Sequence, residues 1–266
     1  MTVKNRKNKI FLIFIILFVG GYFLFFTSNL WYPDSGKMVK ETPIFSPKEW
    51  NHRNITLLSW DYSETQQMME IQLEINNTAL DGIDKYTYTA LERNSGYLNV
   101  VPIMETADYV VLHINNLKKN WREVSLRIGI PEENSKKVET KNELKLYTNK
   151  DSVHTVSSIS NRTENEYQTD RINSRITMYQ NEIYSLNNSI DALETEKLAH
   201  ERDISALKDK SKYQTDQQKE ESAQILSAAE SSIQNLETEI EKYEAEILEY
   251  TQRIQKAKEE LTVYLK

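Results

Sequence analysis

The chain has 266 residues, 33 Lys and Arg against 40 Asp and Glu, a formal charge of −7 and no Cys. A mildly acidic chain argues against nucleic acid as a partner, because phosphate binding needs a clustered basic surface. Without Cys, an exported fold rests on apolar burial rather than disulfides. There is no HExxH, GxSxG or P-loop pattern, so no catalytic set, cofactor site or metal site is read from the residues, and the chain is not expected to be an enzyme.

Residues 1–9 form a basic segment with Lys4, Arg6, Lys7 and Lys9. Residues 10–32 (IFLIFIILFVGGYFLFFTSNLWY) contain no Asp, Glu, Lys, Arg or His. As a helix this stretch reaches roughly 34 Å, enough to cross the hydrocarbon core of a bilayer. The positive-inside rule puts the basic segment in the cytoplasm and everything after residue 32 outside. A cleaved signal peptide is the rival reading. Against it, the apolar run exceeds the usual h-region, and no small-x-small cleavage site follows. The expectation is a single-pass signal anchor in the cell membrane, with the lipid bilayer as the partner of residues 10–32. Absent Cys and abundant Lys, Asn, Ile and Tyr lean towards a bacterial envelope protein.

Residues 33–50 hold three of the five prolines and read as an extended linker. From Asn54 the apolar period becomes two. Leu58, Trp60 and Tyr62 alternate with polar residues, as do Met69, Ile71, Leu73 and Ile75, then Tyr86, Tyr88 and Ala90, then Val124, Leu126, Ile128 and Ile130. The stretch 108–115 is apolar on both faces. Turn signals such as Asp81-Gly82 and Asn94-Ser95-Gly96 separate about seven short strands over residues 51–150. Strands with one apolar face must pack as two sheets, so this domain is read as a β-sandwich of immunoglobulin or fibronectin III-like topology. Asp81 and Asp84 supply two carboxylates, short of the 6–8 oxygens calcium takes, so an ordinary turn is expected there. Trp60, Trp121, Tyr86 and Tyr88 are read as core rather than as a binding patch.

All 6 Gly and all 5 Pro lie at or before Pro131, so turn-rich structure stops and long helix becomes available. Residues 151–165 read as a polar linker ending in a capping box at Thr163 and Glu166. Residues 166–266 then follow a 3.5-residue period, with a break near 209–222. One run places Ile172, Ile176, Tyr179, Ile183, Leu186, Ile190, Leu193, Ile204 and Leu207 on a seam, with Lys197 and His200 as polar layers. The other places Leu226, Ala229, Ile233, Leu236, Ile240, Tyr243, Ile247, Tyr250, Ile254, Ala257, Leu261 and Tyr264. Sustained heptads with charged flanks indicate a coiled coil. The two arms are out of phase across a polar centre, which favours an antiparallel hairpin. A tip at 216/217 sets Ile183 against Tyr250 and Ile190 against Tyr243. A tip at 213 sets Ile183 against Tyr243 and Lys197 against Ala229. The alternative is one continuous helix pairing with another chain.

The fold class is thus α+β in separate segments: a transmembrane helix, a β-sandwich and a long coiled coil. The functional expectation is a membrane-anchored extracytoplasmic structural or interaction protein. Its coiled coil meets a protein partner or itself, as a scaffold of a bacterial envelope or secretion assembly would. A ligand-sensing module and a transport-adaptor subunit are the alternatives.

Overall fold

Apolar residues at every second position, and turns that tolerate left-handed backbone, produce nine strands among the described residues. In the computed structural model residues 38–131, 134 and 143–265 are described. The predicted basic segment 1–9, the membrane segment 10–32 and the start of the predicted linker lie outside them. None of the described helices is long and apolar enough to cross a membrane.

The strands are β1 (Pro47–Trp50), β2 (Arg53–Ser63), β3 (Met68–Asn77), β4 (Thr87–Glu92), β5 (Gly96–Glu105), β6 (Tyr109–Asn115), β7 (Glu123–Gly129), β8 (Leu144–Asn149) and β9 (His154–Val156). They run in the order β1-β2-β3-β6-β5-β4-β7-β8, with β9 beside β2. All pairings are antiparallel except β2 with β9. This mostly antiparallel, sandwich- or barrel-like sheet encloses one apolar core. Ile55, Leu57, Trp60 and Tyr62 of β2, Met69, Ile71 and Leu73 of β3, and Val110 and Leu112 of β6 meet Ala90, Val124, Leu126, Ile128 and Leu146. Trp60, Trp121 and Tyr86 are core residues, as expected, with Tyr88 half-buried against them.

Two boundaries differ from the sequence reading. The linker 33–50 ends early. Thr42 N–H donates to the Tyr147 carbonyl and Phe45 N–H to the Leu57 carbonyl, both at 2.8 Å, and β1 follows directly. Pro43 and Pro47 concealed this, yet an edge strand tolerates a missing N–H. The β1–β2 turn is the two-residue pair Asn51-His52, with φ of 49° and 58°, the left-handed pair that a tight hairpin requires. Likewise, the linker 151–165 contains β9 and is tied down beyond it. Gln66 Nε2 donates to the Ile159 carbonyl (2.9 Å), and Ile159 N–H returns a bond to Gln66 Oε1 (2.6 Å).

The tail is a helical hairpin: α1 (Glu164–Lys210), one 3₁₀ turn (Ser211–Tyr213) and α2 (Asp216–Tyr264). Each arm is about 70 Å long at 1.5 Å per residue. Both begin with complete capping boxes, Thr163 with Glu166 and Thr215 with Gln218. The second box explains how the chain reverses without Gly or Pro. Gln214 turns extended after the 3₁₀ turn, and Thr215 then satisfies the amides of a new helix start. The continuous-helix alternative is therefore replaced by the hairpin.

Candidate functional site

The two helices of the hairpin share the seam predicted from the heptads. Ile204 and Leu236 are buried. Ile176, Ile183, Leu186, Ile190, Leu193, Leu207, Ile233, Ile240, Ile247, Ile254 and Leu261 are half-buried, and none of the set is exposed. That is the expected state of two helices sharing one stripe. Cross-helix contacts decide the register. Arg175 Nη2 meets Glu260 Oε2 at 2.7 Å, and Lys197 Nζ meets Glu237 Oε1 at 2.6 Å. The Tyr179 and Tyr250 rings lie 5.8 Å apart, and Arg253 sits 5.9 Å over Tyr179. The midpoints of these pairs centre near 216/217, not 213. The loop itself is centred nearer 213. It folds back along the start of α2, where the Ser222 hydroxyl donates to Gln214 Oε1 (2.9 Å), so pairing begins one to two turns into that helix. Lys197 therefore works as a polar layer held by Glu237.

The shaft of the hairpin is acidic. Residues 182–204 and 229–251 together carry thirteen Asp and Glu against three Lys and Arg, a net −10. All but half-buried Glu246 of these carboxylates are exposed, so the shaft carries a negative surface field.

The junction between sheet and helix is the densest polar cluster. Alternation puts Glu70, Gln72 and Glu74 of β3 on one face, and their cross-strand partners on β6 are His113, Val111 and Tyr109. This face is polar by alternation, yet Glu70 is fully buried. Tyr167, in the first turn of α1, packs with Leu58, Tyr109 and Val111. Its hydroxyl donates to Glu70 Oε2 at 3.0 Å. His113 Nε2 lies 3.0 Å from the same oxygen, and Gln72 Nε2 donates to Glu70 Oε1 at 3.2 Å. Arg162 pairs with both Glu70 and Asp170 and lies 4.7 Å over the Tyr167 ring. One turn further on, Arg171 binds Glu74 and Asp108, each at 2.8 Å, and stacks 5.2 Å over Tyr109.

Electrostatics follow from this geometry. Burial pushes the Glu70 carboxyl up. The bond to His113, the charge of Arg162 and the bonds from Gln72 and Tyr167 outweigh it and hold the group below the ordinary carboxylate range. Burial, with Glu70 beside it, pushes the Tyr167 hydroxyl up to about 12. Asp170 is raised, first by burial and then by the charge of Glu70, with Arg162 opposing. The cluster is a weld: four donors converge on one carboxylate that water cannot reach, so the first turns of α1 have one seat on the sheet. Periodicity alone missed it. The available signal was β6, whose outward Tyr109 and Val111 could be apolar only if something covered that face.

Other candidates resolve to structure. Asp81 is taken by Arg53, whose Nη2 lies 2.7 Å from both carboxylate oxygens, while Arg53 Nε donates to the Tyr86 hydroxyl at 3.0 Å. The guanidinium occupies the place a cation would need. Among the described residues no group of three or more His, Cys, Asp or Glu could hold a metal ion. Ser59, Asp61 and His154 line one cleft, and His154 Nδ1 lies 2.6 Å from Asp61 Oδ1. A nucleophilic relay needs the hydroxyl bonded to the imidazole and open to substrate. The Ser59 hydroxyl is buried without a partner, so the three do not form one.

No protein-family model matches the chain, and no curated protein does. Among solved structures, a DUF4426 family protein from Pseudomonas aeruginosa is similar over 40% of this chain and 94% of its own length, at 9% identity and a TM-score of 0.25. So slight a likeness leaves the function to the geometry of the chain itself.

Proposed function

We propose that the chain is a membrane-anchored, extracytoplasmic structural or interaction protein, a scaffold or spacer of a bacterial envelope or secretion assembly rather than a catalyst. The observation that carries the reading is the Glu70 junction. It turns a β-domain and a hairpin about 70 Å long into a base with a stiff arm, the form a part needs to hold two partners at a set distance. The uncharged run 10–32, after Lys4, Arg6, Lys7 and Lys9, supports the anchor and its sidedness. The acidic shaft supports a protein partner with a basic surface.

The strand order supports an immunoglobulin-like reading of the β-domain. The rows β2-β3-β6-β5 and β4-β7-β8 follow the order of the ABED and CFG sheets of the constant type. Two departures accompany it. β5 also pairs with β4 through residues 96–98, joining the rows, and β1 and β9 are additions beside β2.

Two measurements test the proposal. Exposed Lys212, beside the hairpin tip, is changed to Cys in this Cys-free chain and labelled with a membrane-impermeant maleimide. Labelling in intact cells should equal that after permeabilisation; labelling only after permeabilisation rejects the topology. Spin labels at Tyr97→Cys on β5 and Lys212→Cys should give a single narrow distance distribution by pulsed dipolar spectroscopy. A broad one rejects the stiff arm.

A further inference from the structure

Two interruptions in the β-structure coincide at one cleft. On its outer edge β2 pairs with β1 through residues 53–56 and with β9 through residues 61–63. Between them Phe45 N–H reaches the Leu57 carbonyl. Among the described residues no strand pairs with Leu58–Trp60 on that edge. A cleft of about 230 Å³ opens there and touches five consecutive residues of β2, Leu57 to Asp61. β2 has a register shift between Leu57 and Ser59, but its side chains still divide between two faces, so a cavity above one face would meet only some of these residues. Contact with five in a row places the cleft against the strand edge, where main-chain groups are presented.

The rest of the lining gives the chemistry. Ile44, Trp60 and Val153 supply apolar surface, and Tyr147 of β8 forms a far wall. Glu41, Asp61 and His154 also line it, with His154 bonded to Asp61, so the polar groups favour a cation. Ser59 is a further lining residue, and its buried hydroxyl has no partner. The volume falls below the roughly 300–1,000 Å³ of small-molecule sites and suits a side chain with its peptide group. A bare strand edge beside a side-chain pocket is the arrangement by which sheets accept an added strand.

We propose that this cleft binds an extended peptide of a partner protein. Its main chain pairs with β2 at Leu58–Trp60, an apolar side chain rests on Ile44, Trp60 and Val153, and a neighbouring Lys or Arg turns to Glu41 and Asp61. This deepens the interaction reading by naming a partner class. It rests on the β-domain being a docking element, and its test does not depend on which side of a membrane the domain occupies.

The experiment uses the purified full chain and fluorescein-labelled hexapeptides Ala-Lys-Φ-Φ-Lys-Ala, with Φ drawn from Val, Ile, Leu, Phe and Tyr, read by anisotropy. Two controls replace both Lys by Glu, or both Φ by Pro, which has no N–H to pair. Binding of the best basic peptide should exceed that of either control by about tenfold or more. Ser59→Phe fills the cleft from β2 and Val153→Trp fills it from the other wall. Whichever keeps the wild-type melting temperature should weaken binding by about tenfold. Glu41→Gln with Asp61→Asn should remove the preference for Lys over Glu peptides. Equal binding of basic, acidic and proline peptides, unchanged binding in a folded filled variant, no saturable binding by any panel member, or self-association of the chain through this edge would each overturn the proposal.

Discussion

Replacing Glu70 by Gln keeps the shape of the side chain and removes its charge. The carboxylate accepts from His113, Tyr167, Gln72 and Arg162 with a side chain 1% exposed. An amide turns one of its two oxygens into a donor, so two of the four incoming bonds become donor against donor. Breaking a buried ion pair by removing one partner costs about 3–5 kcal/mol. Arg162 keeps Asp170 and its side chain is 25% exposed, which puts the expected loss near the lower end, about 3 kcal/mol. Tyr167→Phe deletes one hydrogen bond to a charged group and leaves the ring under Arg162, for a loss of about 1.5 kcal/mol. Both act on the same carboxylate, so the double variant should cost less than the sum. Urea unfolding, followed by the fluorescence of buried Trp60 and Trp121 and by far-UV circular dichroism, measures all three. A Glu70→Gln variant within about 0.5 kcal/mol of the wild type, or strict additivity with Tyr167→Phe, would refute the weld.

The same carboxylates predict the response to acid. Burial raises Glu70, Glu92 and Asp81, but their hydrogen bonds outweigh it and leave each below its ordinary value of 4.5 for Glu or 3.8 for Asp. A depressed folded value adds stability that is complete above the unfolded value and lost as pH falls through the folded one. Melting temperature should therefore be flat above about pH 5, fall below about pH 4, and fall less steeply in Glu70→Gln. The hairpin register predicts that Cys pairs at 183 and 250 close within one chain on mild oxidation, while pairs at 183 and 243 do not; the reverse on non-reducing gels would restore the other register. Thr215→Ala removes the second helix cap and should cost about 1 kcal/mol in the same urea experiment, whereas an unchanged midpoint would mean that the turn does not depend on it. Because Arg53 holds Asp81, calcium at about 1 mM, the weak end of known sites, should leave the melting temperature unchanged, and a rise would return those carboxylates to a metal.

What could be read without coordinates was whatever rests on local period and local chemistry. The alternation in Met69–Ile75 required a strand, the cessation of Gly and Pro after Pro131 allowed long helix, and the capping box at Thr163 marked where α1 begins. The seam from Ile176 to Leu261 followed from heptads, because a stripe on a helix is a property of spacing. Choices between sequence-distant partners were not available in that way. Two registers satisfied the same stripe equally, and the turn decided between them by folding Gln214 back on Ser222. The cover of the polar face of β3 was not legible, because alternation says which residues share a face and nothing about what lies over it. Tyr167, 97 residues along the chain from Glu70, covers it. Strand β9 and the segment from Thr42 escaped notice for a related reason: β9 pairs with β2 through three residues, and the segment from Thr42 is held by isolated bonds to Tyr147 and Leu57. So short a piece has no period of its own and becomes a strand only when a sheet edge is there to receive it. The gap those two pieces leave along β2, with the cleft it opens, is a consequence of where they stop and is visible only in three dimensions.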